Sequence, residues 1–284
     1  MRTTMRARRT LLFAPGNRIE VHAKALATGA DVVCLDLEDA VPPALKAEAR
    51  AAAIPFLTDA TGPERVLRIN SPRSAEGLRD LLAVIEARPA AGAIFLPKVD
   101  SADEVRWVEG LLTEAGLDLG LAVLIESVEG LENVAAILKA SDRIEFAMFG
   151  GADLSAELGV AIAAEPLLYA RSRVVHAAKR AGIDIFDVPS LAFRDADIVQ
   201  AESVAAKALG FTGKGVLHPA NVAVVNDVFA PTDDEIVRAE QILAAYRASP
   251  TGLAVLDGKL VERPVVRAME RILALRNSFQ NPNP

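Results

Sequence analysis

One cysteine, Cys34, is all the thiol chemistry this chain of 284 residues possesses. That excludes an intrachain disulfide and a cysteine-built zinc site, and it suits a reducing compartment. Within "VVCLDL" the residue reads as a small buried side chain and not as a nucleophile. Histidine is scarce too: His22, His176 and His218 are too scattered for a histidine metal centre. Positive charge is in deficit, and a net charge of −7 argues against nucleic acid or an anionic membrane as the main partner, leaving a small molecule as the expected ligand. No stretch reaches the roughly 18–20 apolar residues of a membrane span. "LLFAPG", after the basic start, is too short for a signal core and is stopped by Pro15 and Gly16. A cytoplasmic location is therefore expected, for a globular chain that is 51% hydrophobic and 24% charged.

Eight short apolar runs recur along the chain: residues 10–16, 32–38, 65–70, 93–98, 121–126, 144–150, 183–188 and 213–218. They are apolar along their length, as strands covered on both faces are, and Ala/Leu/Glu/Arg segments of helical period lie between them. Parallel strands need such crossovers. Eight units of this kind predict an α/β fold, a (β/α)8 TIM barrel, over residues 1–249. An open doubly wound sheet competes, but no run is followed by GxGxxG or a P-loop. Beyond it, residues 250–284 read as an appendage: a hairpin about Asp257-Gly258, a helix from near Pro264, and a frayed tail "NSFQNPNP".

In a parallel barrel the active site lies where the strands end. Those positions carry Asp36, Glu38 and Asp39, then Arg68 and Asn70, Lys98, Glu126, Asp153 in "GGADL", Asp187, and His218. Any one of them could be a helix cap or a solvated charge; together on one rim they would repel, pair or bind something. Glu126 and Asp153 end neighbouring strands, about 5 Å apart by sheet spacing. Two carboxylates without Cys or clustered His suit one hard octahedral cation such as Mg2+, and disfavour zinc. Gly150 and Gly151 let backbone approach a ligand, and the N–H groups of the next helix, at Gly151 and Ala152, could face an anion. Arg68 in "LRIN" offers its planar fork to a carboxylate, so the site is expected to take a small 2-oxo acid or its enolate. His218 is either a phosphate or substrate contact or a structural hydrogen bond. His22, His176 and Trp107 read as ordinary helix residues.

The stretches "RRTLLFAPGN", "GADVVCLDLEDAVPP", "VLRINSP", "IFLPKVDS", "LIESVEGLENV", "FGGADLSAELG" and "GFTGKGVLHPANVAVVNDVFAPT" stand in one order between residues 8 and 232, within a likeness that runs from about residue 9 to 275. The chain thereby resembles the citrate lyase β-subunit-like branch of the HpcH/HpaI aldolase superfamily. That resemblance implies a barrel in a trimer or a multiple of it, with Mg2+ on Glu126 and Asp153. It implies that Arg68 holds the carboxylate of a 2-oxo or 2-hydroxy acid, with Glu38 and Asp39 bordering the metal's water shell. It also implies an acyl thioester of coenzyme A or an acyl carrier protein as substrate, cleaved reversibly at a carbon–carbon bond. "FAPGN" and Lys214 would then lie near the carrier's nucleotide; from their places at the strand ends and the following helix start, Asn70, Lys98, Gly151, Ala152 and His218 are expected as further substrate contacts.

Two positions depart from the pattern. Where many relatives have an aspartate in "IDxP" that enters a neighbour's site, this chain has Glu262 in "LVERP", one methylene longer; where they carry an aspartate after strand seven, it has Ala192. Three functions follow as alternatives: a thioester lyase with Glu262 as acid or base, a class II pyruvate-type aldolase on free aldehydes, or a non-catalytic 2-oxo-acid-binding subunit of a larger lyase complex.

Overall fold

A computed structural model describes residues 8–58, 62–249 and 253–280. By contacts the chain divides after Asn226 into two compact units.

The first unit, from Arg8 to Asn226, is a closed barrel of eight parallel strands. They are β1 (Thr10–Pro15), β2 (Val32–Asp36), β3 (Glu64–Arg68), β4 (Ala93–Leu96), β5 (Gly120–Ile125), β6 (Ile144–Phe149), β7 (Asp184–Asp187) and β8 (Gly213–Val216), and β8 pairs back onto β1. The helices include α1 (Ile19–Leu26), α2 (Lys46–Ala53), α3 (Ala75–Ala87), α4 (Ala102–Glu114), α5 (Val128–Ile137), α6 (Gly151–Leu158), α7 (Leu168–Ala181) and α8 (Ala196–Leu209). Each expected apolar run became a strand because its residues face two apolar layers, the barrel interior and the helices.

Alternate residues of each strand point inward. Leu11, Val32, Cys34, Val66, Phe95, Leu124, Phe146, Met148 and Phe186 fill the interior. Phe146 meets Phe95 and Phe186 edge-on, with centroids 5.8 and 5.2 Å apart. Truncating such a ring typically costs about 3–5 kcal/mol. Cys34 lies in this layer, and burial pushes its thiol up, which makes it a packing residue and no nucleophile. At the N-terminal end of the barrel Arg8 acts as a plug. Its guanidinium lies over Phe146 and pairs with Glu64 (2.6 Å), Asp184 (3.3 Å) and Glu145. One end is closed by charge pairing, so the chemistry has the other.

The loops at that other end are tied down by repeated serine caps. Ser74, Ser101 and Ser127 each accept a backbone N–H in the first turn of α3, α4 and α5. Ser127 directly follows Glu126, so the helix start fixes the backbone beside that carboxylate.

After α9 (Asn221–Phe229), within which the division falls, the second unit contains α10 (Asp233–Ala248), β9 (Ala254–Leu256), β10 (Lys259–Val261) and α11 (Arg263–Gln280). In α10, Thr232 and Glu235 form a reciprocal capping box. Asp257 and Gly258, at φ 51° and 72°, make the tight hairpin turn that their sequence predicts. Ile242 and Leu243 of α10 pack with Val261 and Val266, so this helix, which sequence reading leaves with the barrel, groups with the appendage. Of the tail expected to fray, α11 takes in the residues through Gln280, and residues 281–284 lie outside the described ones.

Candidate active site

The same alternation that fills the barrel aims its last residues into the mouth. Cys34, Val66 and Leu124 face inward, so Asp36, Arg68 and Glu126, two residues further on, do too. Asp36 and Arg68 are direct register partners across β2 and β3. The guanidinium meets Asp36 with two parallel bonds, Nε to Oδ1 at 2.8 Å and Nη2 to Oδ2 at 2.6 Å, and Phe13 lies beneath it at 5.2 Å. Asp36 also accepts the backbone N–H groups of Glu38 and Ala40. It thus sets both the arginine and the loop that follows, a role that sequence reading missed although strand parity and register contain it. Burial opposes the charge of Arg68, but Asp36 and Glu38 outweigh that and hold it above its ordinary range.

The third guanidinium nitrogen, Nη1, stands 3.1 Å from Glu38 and 3.9 Å from Asp39. Glu38 Oε1 pairs with Lys98 Nζ at 2.8 Å, while its buried Oε2 makes no hydrogen bond among the described residues. Burial, only partly offset by Arg68 and Lys98, pushes the Glu38 carboxyl up. Asp39 is exposed, 3.9 Å from Lys98 Nζ. The backbone here is pinned as well. Lys46 Nζ donates to the carbonyls of Leu37 and Glu38 at 2.8 and 2.6 Å, and Gly16 leaves no room for a side chain against Leu37.

Glu126 is almost fully buried. Its Oε1 accepts the Lys98 N–H at 2.8 Å, and its carboxyl is in hydrogen-bond contact with Asp153 from the first turn of α6. Gly150 is obligatory between them, since a Cβ there would lie 2.3 Å from that of Glu126. Burial, then the neighbouring Asp153 and Glu38, push the Glu126 carboxyl up to about 9. Among the described residues no group of three or more His, Cys, Asp or Glu side chains is arranged for a metal. The one carboxylate pair available, Glu126 and Asp153, would suit a hard divalent cation that keeps water and substrate oxygens as its other ligands.

Charge points the same way. Among the described residues, the linked carboxylates of Asp36, Glu38, Asp39, Glu126 and Asp153 face only two cations, Arg68 and Lys98. An anionic ligand could not join them without added positive charge.

Lys98 is itself unusual, with φ +52°. A non-glycine residue in this left-handed region costs about 1–2 kcal/mol.

Other expected contacts fall elsewhere. Asn70 does not present its amide to the mouth: its Nδ2 donates to Asp80 (2.7 Å) and Leu37 O (3.1 Å), and Asp80 is held in turn by Arg50. Lys214, expected near the carrier's nucleotide, is buried. On β8 it faces outward, opposite Asp187 in register, and its Nζ lies 3.1 Å from that carboxylate, which also takes Arg171 in a fork. A buried ammonium must be paired, and the outward parity of Phe186's neighbour explains the pairing. His218 is exposed, stacked on Phe193 at 6.0 Å, with Nδ1 accepting the Ala220 N–H. Gly151 is buried and Ala152 exposed at the start of α6, where N–H groups lack helical partners. Ala192 lies in the loop before α8, its carbonyl accepting the Asp195 N–H. Glu262 is exposed between β10 and α11.

A family model described as HpcH/HpaI aldolase/citrate lyase matches residues 9–219. The citrate lyase subunit beta of Leuconostoc mesenteroides subsp. cremoris is 34% identical over 96% of this chain and 94% of that one. The mitochondrial citramalyl-CoA lyase of Homo sapiens is 31% identical over 96% of this chain and 86% of that one. Among solved structures, the CitE protein of Mycobacterium tuberculosis, in complex with magnesium, acetoacetate and coenzyme A, superposes with a TM-score of 0.82 at 32% identity, over 95% of this chain and 98% of that one.

Proposed function

Because the chain belongs to the HpcH/HpaI aldolase/citrate lyase family, we propose that it is a Mg2+-dependent carbon–carbon lyase acting on a citryl-, malyl- or citramalyl-type acyl thioester. The acyl group is carried by coenzyme A or by an acyl carrier protein. The observation that carries this reading is the buried Glu126 carboxyl in contact with Asp153 of α6, in a cluster of carboxylates short of positive charge.

In the cleavage direction the 3-hydroxyl of the acyl group loses its proton. The C2–C3 bond breaks with its electron pair passing to C2, and C2 regains a proton. A 2-oxo acid and a shortened thioester leave. Glu126 and Asp153 hold Mg2+, which supplies Lewis-acid stabilisation of the negative charge that develops on oxygen. Arg68 binds the carboxylate beside C3 through Nη1, the nitrogen that Asp36 does not take. Glu38 and Asp39 receive the hydroxyl proton through water, with the Lys98 ammonium paired to Glu38 partly offsetting the burial that opposes its charge. Gly151 and Ala152 offer first-turn N–H groups to a substrate oxygen, and His218 contacts the carrier.

Glu262 supplies the C2 proton from a neighbouring copy, in a trimer or a multiple of it. Support for that assembly comes from the hairpin, where Leu253, Val255 and Leu260 are exposed apolar side chains that a second chain would cover. A reducing cytoplasm suits a lone cysteine buried inside the barrel.

The test is direct. With Mg2+, the purified chain is expected to release a 2-oxo acid from at least one of citramalyl-CoA, malyl-CoA and a citryl carrier, followed by mass spectrometry of both products. Folded protein that leaves all three intact would overturn the reading.

A further inference from the structure

Three non-glycine residues among those described have positive φ: Arg88, Lys98 and Asp257. The first caps the C-terminus of α3 and the last turns the β9–β10 hairpin, so local structure requires both. Lys98 sits at a bend after β4, neither a helix cap nor a hairpin turn. Backbone strain without a local cause points to a task at the site itself.

The contacts of Lys98 supply that task. Its N–H donates to Glu126 Oε1 at 2.8 Å, its Nζ meets Glu38 Oε1 at 2.8 Å, and its carbonyl accepts Arg73 Nη2 at 2.7 Å. Arg73 is paired in turn with Asp100, which accepts the hydroxyl of Ser127, the residue after Glu126. Val99, fully buried, anchors the next position in the core. A relaxed φ at 98 would therefore displace the N–H from Glu126, because the residue on its other side is held.

We infer that Lys98 is a positioning residue which joins the two halves of the site: its left-handed backbone aims Glu126 at the cation, and its ammonium sets Glu38. The inference rests on the metal site proposed above. The two parts separate by substitution. Gly and Asn accept a left-handed backbone, whereas Ala and Val resist it, Val most. All four remove the ammonium alike.

Mn2+ binding, read by electron paramagnetic resonance without substrate, isolates the backbone part. Lys98→Gly and Lys98→Asn are expected to bind within about threefold of the parent, and Lys98→Ala and Lys98→Val about tenfold or more weakly, the size typical of lost support to metal ligands. If Lys98→Val does not fold, Lys98→Ala carries the comparison. Turnover isolates the ammonium: all four variants are expected to lose at least about tenfold in kcat with a smaller change in KM, and Lys98→Arg to recover most of it. Equal Mn2+ affinity across the four, or parental kcat in Lys98→Gly, would overturn the inference. Glu126→Gln is the control. Parental Mn2+ affinity in that variant would sink the metal site itself, whereas lost affinity there with a flat Lys98 series would sink only the role of Lys98.

Discussion

Glu126→Gln is expected to abolish Mg2+ binding and to lower turnover by at least about a thousandfold, the scale of losing the main stabiliser of developing charge. The substitution is isosteric, and Gln keeps an oxygen to accept the Lys98 N–H, so the loss would report charge and not collapse of the loop. Stability supplies an independent reading. In metal-free buffer the Glu126 carboxyl is raised to about 9 by burial and by its acidic neighbours. A carboxyl raised on folding takes up a proton when the chain folds. Its contribution is therefore fully present below its unfolded value and is lost as pH rises through about 9. Melting temperature in EDTA is expected to fall over that window in the parent and to fall less in Glu126→Gln. Added Mg2+ should restore the parent at the alkaline end and leave the variant unmoved. Parallel melting curves for the two proteins, or full activity of the parent in EDTA, would contradict this.

Arg68→Met is expected to damage folding and catalysis together, for separable reasons. Catalytically it removes the proposed carboxylate ligand, and kcat/KM should fall by about 10²–10³, as when a charge-assisted contact to the reacting group is lost. Structurally it leaves Asp36 and Glu38, both nearly fully buried, without their main cation. Breaking one side of such a pair costs about 3–5 kcal/mol, which for a chain of this size is a melting temperature lower by about 10 °C. The double variant Arg68→Met with Asp36→Asn removes the stranded charge. Its amide oxygen can still accept a backbone N–H, so part of the lost stability should return with none of the lost activity. Activity that recovers together with stability would mean that Arg68 only supports the fold.

The barrel was legible because most strands carry apolar residues on both faces, as strands covered on both sides do, with charges confined mainly to their ends and to Lys214 of β8. The rim was legible as a set, since polar residues recurred at the strand ends. What the sequence hid was which acid does what. Asp36 looked the least functional of the three acids in "CLDLEDA", yet it is the residue that fixes Arg68. Parity explains it: Asp36 shares the inward face with Cys34, and its register partner is Arg68. Lys214 illustrates the reverse. Its motif suggested a ligand contact, but it falls on the outward face of β8, one residue from the inward position, and pairs with Asp187. Neither the strain at Lys98 nor the lysine clamp of Lys46 on two carbonyls has a sequence signature, because both depend on loop paths that long-range packing determines.

The central claim is that one divalent cation and Arg68 together hold a 2-oxo acid at the barrel mouth. A crystal structure of the chain with Mg2+ and oxaloacetate or pyruvate tests it most directly. The account predicts Mg2+ about 2.0–2.1 Å from oxygens of Glu126 and Asp153, with the 2-oxo acid bridging from the metal to Arg68 Nη1. A 2-oxo acid bound without metal, or Mg2+ held by other residues, would contradict it.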